Sequence, residues 1–217
     1  MREVRVPVGA RSVTATVYGE GGTAVVLGPG AGGDRRTPLL VRTAEALATA
    51  GRQAVLYNFL YSDQGRRAPD PPEVLEATTR AVGDYVSGEL GAARIVHGGK
   101  SMGGRIASQV VAKGAPADAL VFLGYPLHPP GRTDALRDRH LPAIGVPMLF
   151  IQGTRDSFAR MDLLEPVIRA LGDKATLHVI EGGDHSFGVP RRGGRTKAEA
   201  EREVIDTVVE WLQAKGL

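Results

Sequence analysis

Six short strand-like runs recur along this chain, at residues 24–27, 54–57, 94–97, 119–123, 148–151 and 176–180, separated by stretches with helical punctuation. Such alternation leaves few architectures open, because a strand that is apolar throughout must be covered on both faces, and intervening helices supply that cover. Before these runs, Val4, Val6 and Val8, then Val13, Ala15 and Val17, alternate as a half-exposed hairpin does. The reading is therefore eight strands in a mostly parallel sheet with helices on both faces. Thr37-Pro38 opens one helix that stops near Gly51, and Asp70-Pro71-Pro72-Glu73 opens another. Thr196-Lys197-Ala198-Glu199 is a capping box for the last, whose Val204, Ile205, Val208, Val209 and Leu212 form one apolar stripe.

At 217 residues the chain fits one domain, 1–217, with a large single core. Its residue counts exclude several classes of function. No cysteine is present, so neither a disulfide nor a thiol nucleophile is available. Met1-Arg2-Glu3-Val4-Arg5 has no apolar signal core and no segment approaches a membrane span, so the expected location is cytoplasmic, with no membrane partner. The formal charge of +3 is spread among acids, and only Arg191-Arg192-Gly193-Gly194-Arg195 is a basic cluster. Without a nucleic-acid-binding fold around it, that cluster reads as a solvated loop, and no nucleic-acid partner is expected.

Chemistry concentrates just past the strands. Gly99-Lys100-Ser101-Met102-Gly103 is a G-x-S-x-G pentapeptide between a strand-like and a helix-like run, the context of a nucleophile elbow, where neighbours two residues away must be small. Taken alone, Ser101 could equally be a helix cap. Downstream, Gly153-Thr154-Arg155-Asp156 follows one strand and Gly182-Gly183-Asp184-His185 follows another. Serine, aspartate and histidine thus occur in α/β-hydrolase order, each at a strand's C-terminal end. The expected catalytic residues are Ser101, Asp156 and His185. Asp156, arriving from a separate strand end, is a better partner for His185 than the adjacent Asp184.

Acyl transfer also needs two backbone N–H groups aimed at the developing oxyanion. Met102 is the expected first donor. The second is Ala31, in Gly28-Pro29-Gly30-Ala31-Gly32-Gly33-Asp34, a loop that by itself also reads as an ordinary glycine-rich turn. Two look-alikes fail. Gly28, Gly30 and Gly33 match a dinucleotide fingerprint, but Pro29 removes a donor and the next strand ends at Tyr57-Asn58 without an acid. Gly99-Lys100-Ser101 resembles the end of a P-loop, but the glycine needed five residues earlier is Arg94.

Pro29-Gly30-Ala31-Gly32-Gly33-Asp34, Gly98-Gly99-Lys100-Ser101-Met102-Gly103-Gly104-Arg105, Gly124-Tyr125-Pro126-Leu127-His128-Pro129-Pro130-Gly131, Gln152-Gly153-Thr154-Arg155-Asp156 and Gly183-Asp184-His185-Ser186-Phe187 occur in that order. Together they resemble the small α/β-hydrolase family of testis-expressed protein 30 and regulatory subunit 3 of the nonspecific-lethal chromatin complex, related to dienelactone hydrolase. The resemblance implies the α/β-hydrolase fold and a serine triad. One departure is Pro29, where the family usually carries histidine.

The stretch from Tyr125 to Val146, where larger relatives insert a lid, is too short for a cap domain, so no large lid domain is expected. Tyr125 and His128 stand at a strand's edge, where they either line the pocket or hold a turn. His97 reads as a buried, hydrogen-bonded histidine, and no His or Cys spacing supports a metal site. The expected function is a serine hydrolase acting on a small-molecule ester or thioester, with no cofactor and no metal. A non-catalytic interaction module, and a peptidase or acyltransferase with the same machinery, are the alternatives.

Overall fold

The computed structural model describes residues 1–190 and 194–217. Arg191, Arg192 and Gly193 of the basic cluster lie outside the described residues. Eight strands form one sheet in the order β1-β2-β4-β3-β5-β6-β7-β8. The strands are β1 (Arg2–Val8), β2 (Arg11–Tyr18), β3 (Thr23–Gly28), β4 (Gln53–Tyr57), β5 (Arg94–Lys100), β6 (Ala119–Leu123), β7 (Met148–Gly153) and β8 (Ala175–Ile180). β2 runs antiparallel to β1 and β4, and all other pairs are parallel. This is the α/β-hydrolase fold without a large lid.

The hairpin closes through Gly9 and Ala10, and Gly9 takes φ +58, a conformation that glycine adopts without a Cβ penalty. In the central strands successive side chains serve opposite faces. Val25 and Leu27 pack with α1 (Pro38–Thr49) and α6 (Lys197–Ala214), whereas Ala24 and Val26 pack with α3 (Pro72–Gly88) and α4 (Met102–Ala112). Both faces being covered explains why these strands read as unbroken apolar runs. The Thr196–Glu199 capping box forms as the sequence implies, with reciprocal side-chain-to-backbone bonds.

Three features depart from the sequence reading. β5 does not stop at His97 but continues through Gly98 and Gly99 to Lys100. A Cβ on Gly98 would lie 2.2 Å from the Val121 carbonyl oxygen, so these glycines pair because they have no side chain. A short helix, α2 (Leu60–Asp63), follows β4. A further helix, α5 (Met161–Leu171), forms although Pro166 lies inside it and cannot donate to the ladder.

Between β6 and β7 the chain packs down rather than rising as a cap. Leu127, Leu141 and Ile144 are buried against Phe122, Phe150 and Leu164 in one cluster. Tyr125 and His128 are each 1% exposed. The Tyr125 hydroxyl donates to the Arg137 carbonyl at 2.7 Å, and His128 Nε2 accepts from the Arg160 N–H at 3.2 Å. Both side chains therefore have the environment of a packed turn, which removes the reason to assign them to a pocket.

Candidate active site

At the C-terminal end of β5, Ser101 has φ 51 and ψ −113, a conformation rarely adopted by a residue with a Cβ. The strain is imposed from outside the turn. A Cβ on Gly99 or on Gly103 would lie 2.2 Å from the Gly28 carbonyl oxygen, so both positions flanking the serine are pressed against the end of β3. With no side chain at either, α4 starts close above Gly28 and Ser101 is left at the apex.

The loops after β7 and β8 are stitched together by their backbones. The Thr154 N–H donates to the Ile180 carbonyl at 3.2 Å and the Arg155 N–H to the Gly183 carbonyl at 2.8 Å. Gly153 and Gly183 touch where a Cβ on Gly153 would lie 2.2 Å from the Gly183 oxygen. This junction delivers Asp156 and His185 to one place. His185 Nδ1 lies 2.7 Å from Asp156 Oδ2 and His185 Nε2 lies 2.8 Å from Ser101 Oγ, so the three side chains form one hydrogen-bonded series.

Asp156 is held from several directions. Its side chain is fully buried, its Oδ1 accepts the Phe158 N–H at 2.8 Å, and its Oδ2 also accepts from Gln152 Nε2 at 2.5 Å. A buried carboxylate with several donors keeps a fixed orientation, as required of a group that sets the tautomer of a histidine. Asp184 faces elsewhere: its Oδ1 accepts the N–H groups of Ser186 and Gly188, both at 2.8 Å, bracing the turn. The Phe158 ring lies against the imidazole, with centroids 4.2 Å apart, and leaves the His185 side chain 21% exposed.

Gly30 passes Ser101 closely, since its missing Cβ would lie 3.7 Å from that of the serine. The loop is pinned by Gly33 N–H to the Gly30 carbonyl at 3.0 Å and by Gly32 N–H to the Tyr61 hydroxyl at 3.1 Å. Neither the Ala31 nor the Met102 N–H donates to an acceptor among the described residues. Backbone amides without an acceptor, one on the residue after the serine and one next to Gly30, are the chemistry an oxyanion needs.

The other histidines are engaged elsewhere. Burial pulls His97 down to about 4, against the Pro116 backbone carbonyl, which opposes the shift. Its ring fills the space left by Gly83, and its buried Nδ1 has no hydrogen-bond partner among the described residues, unlike the hydrogen-bonded histidine expected from the sequence. His140 Nε2 meets Ser108 Oγ at 2.7 Å, and His178 meets Glu203 at 2.7 Å. Among the described residues no three His, Asp or Glu side chains cluster as metal ligands would. Arg195 pairs with Glu203, and among the described residues no helix is long and apolar enough to cross a membrane.

Gln152, Phe158 and Lys100 contact the triad or lie beneath it without having been singled out by the sequence. Only Gln152 carried a signal, standing near the end of β7 four residues before Asp156 in the loop that follows.

Residues 21–213 match the alpha/beta hydrolase domain family, and the chain belongs to it. Dienelactone hydrolase from Anabaena variabilis superposes with a TM-score of 0.76 at 21% identity, over 98% of this chain and 97% of that one. A lidless serine hydrolase from Xanthomonas campestris gives 0.72 at 20% identity, over 97% and 94%. An esterase from Thermogutta terrifontis gives 0.76 at 18%, over 99% and 94%.

Proposed function

We propose that this protein is a serine hydrolase that cleaves small carboxylic esters or thioesters through an acyl-enzyme. The observation that carries this reading is the continuous series Ser101–His185–Asp156 at 2.8 and 2.7 Å, starting from a strained serine. His185 Nε2 takes the Ser101 proton as Oγ attacks the carbonyl carbon. The Met102 and Ala31 N–H groups receive the oxyanion. Collapse expels the alkoxide or thiolate, which takes the proton from His185, and a water activated by the same imidazole then releases the acid. Asp156 stabilises the imidazolium in both halves. No step calls for a cofactor.

Neighbours described as esterases and as dienelactone hydrolase support the substrate class. The motifs quoted above favour membership of the testis-expressed protein 30 group within the family, and a cytoplasmic location suits the cysteine-free chain. A purely interaction-based role would not require an aligned and strained nucleophile.

A fluorophosphonate probe tests the proposal. Ser101 should be labelled and Ser101→Ala should not be, while circular dichroism shows the variant folded. Turnover of p-nitrophenyl esters and acyl-thioesters of graded length should fall to background in the variant. A folded Ser101→Ala protein that keeps half the activity would overturn the assignment.

A further inference from the structure

Directly before the serine, Lys100 sends its side chain under the site instead of into water. The Nζ atom is buried and has no hydrogen-bond partner among the described residues. It lies where a Cβ on Gly124 would be 3.0 Å from it, and that same point is 3.4 Å from the His185 carbonyl oxygen and 3.6 Å from Asp156 Oδ2. Gly124 has φ +70, so both its conformation and the space it leaves suit glycine. The Phe187 ring centroid is 5.6 Å from Nζ. From the loop after β7 the charged neighbour is Asp156, and from the loop after β8 they are Asp184 and the titratable His185. Gly30 and Gly124, on the remaining sides, carry no charge.

A lysine has no reason to be buried for packing alone when methionine fills the same volume without desolvating an ammonium. What distinguishes this pocket is a fully buried carboxylate that must stay ionised to orient the imidazole. The geometry points to Lys100 as a positioning residue: its buried ammonium offsets the charge of Asp156 and sets the pH at which the Asp156–His185 pair takes up a proton. Burial draws the lysine down to about 8 while Asp156 and Asp184 oppose the shift, so it still carries its charge where histidines titrate. A cation beside the pair disfavours a second positive charge on the imidazole, keeping it available as a base at lower pH.

This inference rests on the triad reading above, and its test has a readout that does not need turnover. In Lys100→Met, the ¹³Cε1 resonance of His185, assigned with a His185→Gln control, should titrate about one unit higher than in the wild type, the shift expected from removing a unit charge within about 10 Å at an effective dielectric near 20. The acid limb of kcat/KM should move by the same amount, with activity on that limb falling by up to about tenfold. If the resonance moves and neither protein reacts with esters or fluorophosphonate, the hydrolase reading fails and the role of Lys100 stands. A resonance unmoved in a folded Lys100→Met or Lys100→Gln protein overturns the role of Lys100. Should both variants fail to fold, the wild-type protein decides, because coupled groups each register the other's proton. Its His185 resonance should then show a second inflection near the lysine's about 8, and a curve without one overturns the inference.

Discussion

Gly103→Ala adds one methyl group at the most crowded point of the fold, and its effect can be worked out from the contacts. The new Cβ would sit 2.2 Å from the Gly28 oxygen, 2.4 Å from the Gly28 carbonyl carbon and 2.8 Å from the Pro29 oxygen. All three are backbone atoms, so no side chain can swing aside. Carbon and oxygen ordinarily meet at about 3.3 Å, so α4 must draw back from β3 by about 1 Å. The first residue of α4 is Met102, the proposed oxyanion donor, and Ser101 precedes it. A displacement of about 1 Å in a reacting constellation costs about 100-fold in rate, and overpacking of this kind costs about 1–3 kcal/mol of stability. The assay is kcat/KM for p-nitrophenyl acetate beside thermal unfolding, with Gly88→Ala as control. At Gly88, on an exposed turn of α3, a Cβ would meet nothing within 4 Å, so this variant should keep full activity and match or exceed wild-type stability. A Gly103→Ala enzyme with wild-type kcat/KM and wild-type melting would refute the reasoning, since the approach of β3 to α4 would then not be what holds the serine in place.

Three further outcomes are expected. Asp156→Asn should lose about ten-thousand-fold in turnover at neutral pH, whereas Asp184→Asn, which disturbs only a braced turn, should lose far less; kinetics of the two folded proteins would show a reversed order if the acid were misassigned. His97 is neutral in the fold and takes up a proton near 6.5 once unfolded, so stability should decline as pH falls from about 6.5 towards about 4, by roughly 3 kcal/mol in all. Denaturant titrations across that range check this, and a folded His97→Asn variant should show a flatter dependence. Ester hydrolysis should proceed at an unchanged rate after exhaustive chelation, and activity that vanished with chelator and returned with a divalent ion would displace His185 as the water-activating group.

What could be read from the chain was whatever local chemistry controls. Each strand announced itself by apolar spacing, and the last helix by Thr196 and Glu199, because these signals lie within a few residues of one another. Ser101, Asp156 and His185 could be nominated because each follows a strand, and the structure joins them by hydrogen bonds. The continuation of β5 was hidden because Gly98 and Gly99 weaken a strand in isolation, and only the nearness of β3 and β6 makes them fit. Phe158 was silent for the same reason, and Gln152 offered only its spacing from Asp156, since their roles exist only once β7 and the His185 loop are assembled. Tyr125 and His128 left two readings open because their burial depends on how the connection between β6 and β7 packs.

The low, fastened connection between β6 and β7 has a kinetic corollary. His128 N–H donates to the Phe158 carbonyl and Arg160 N–H to the His128 ring, so the strap that could have swung over the site is tied to the segment carrying the acid. On the proposed hydrolase reading, no lid among the described residues would have to open for product to leave. The same openness keeps bulk water beside an imidazole that is about one-fifth exposed. On the proposed reading, an acyl group on Ser101 would be met first by water, a bias towards hydrolysis and against transfer to another alcohol.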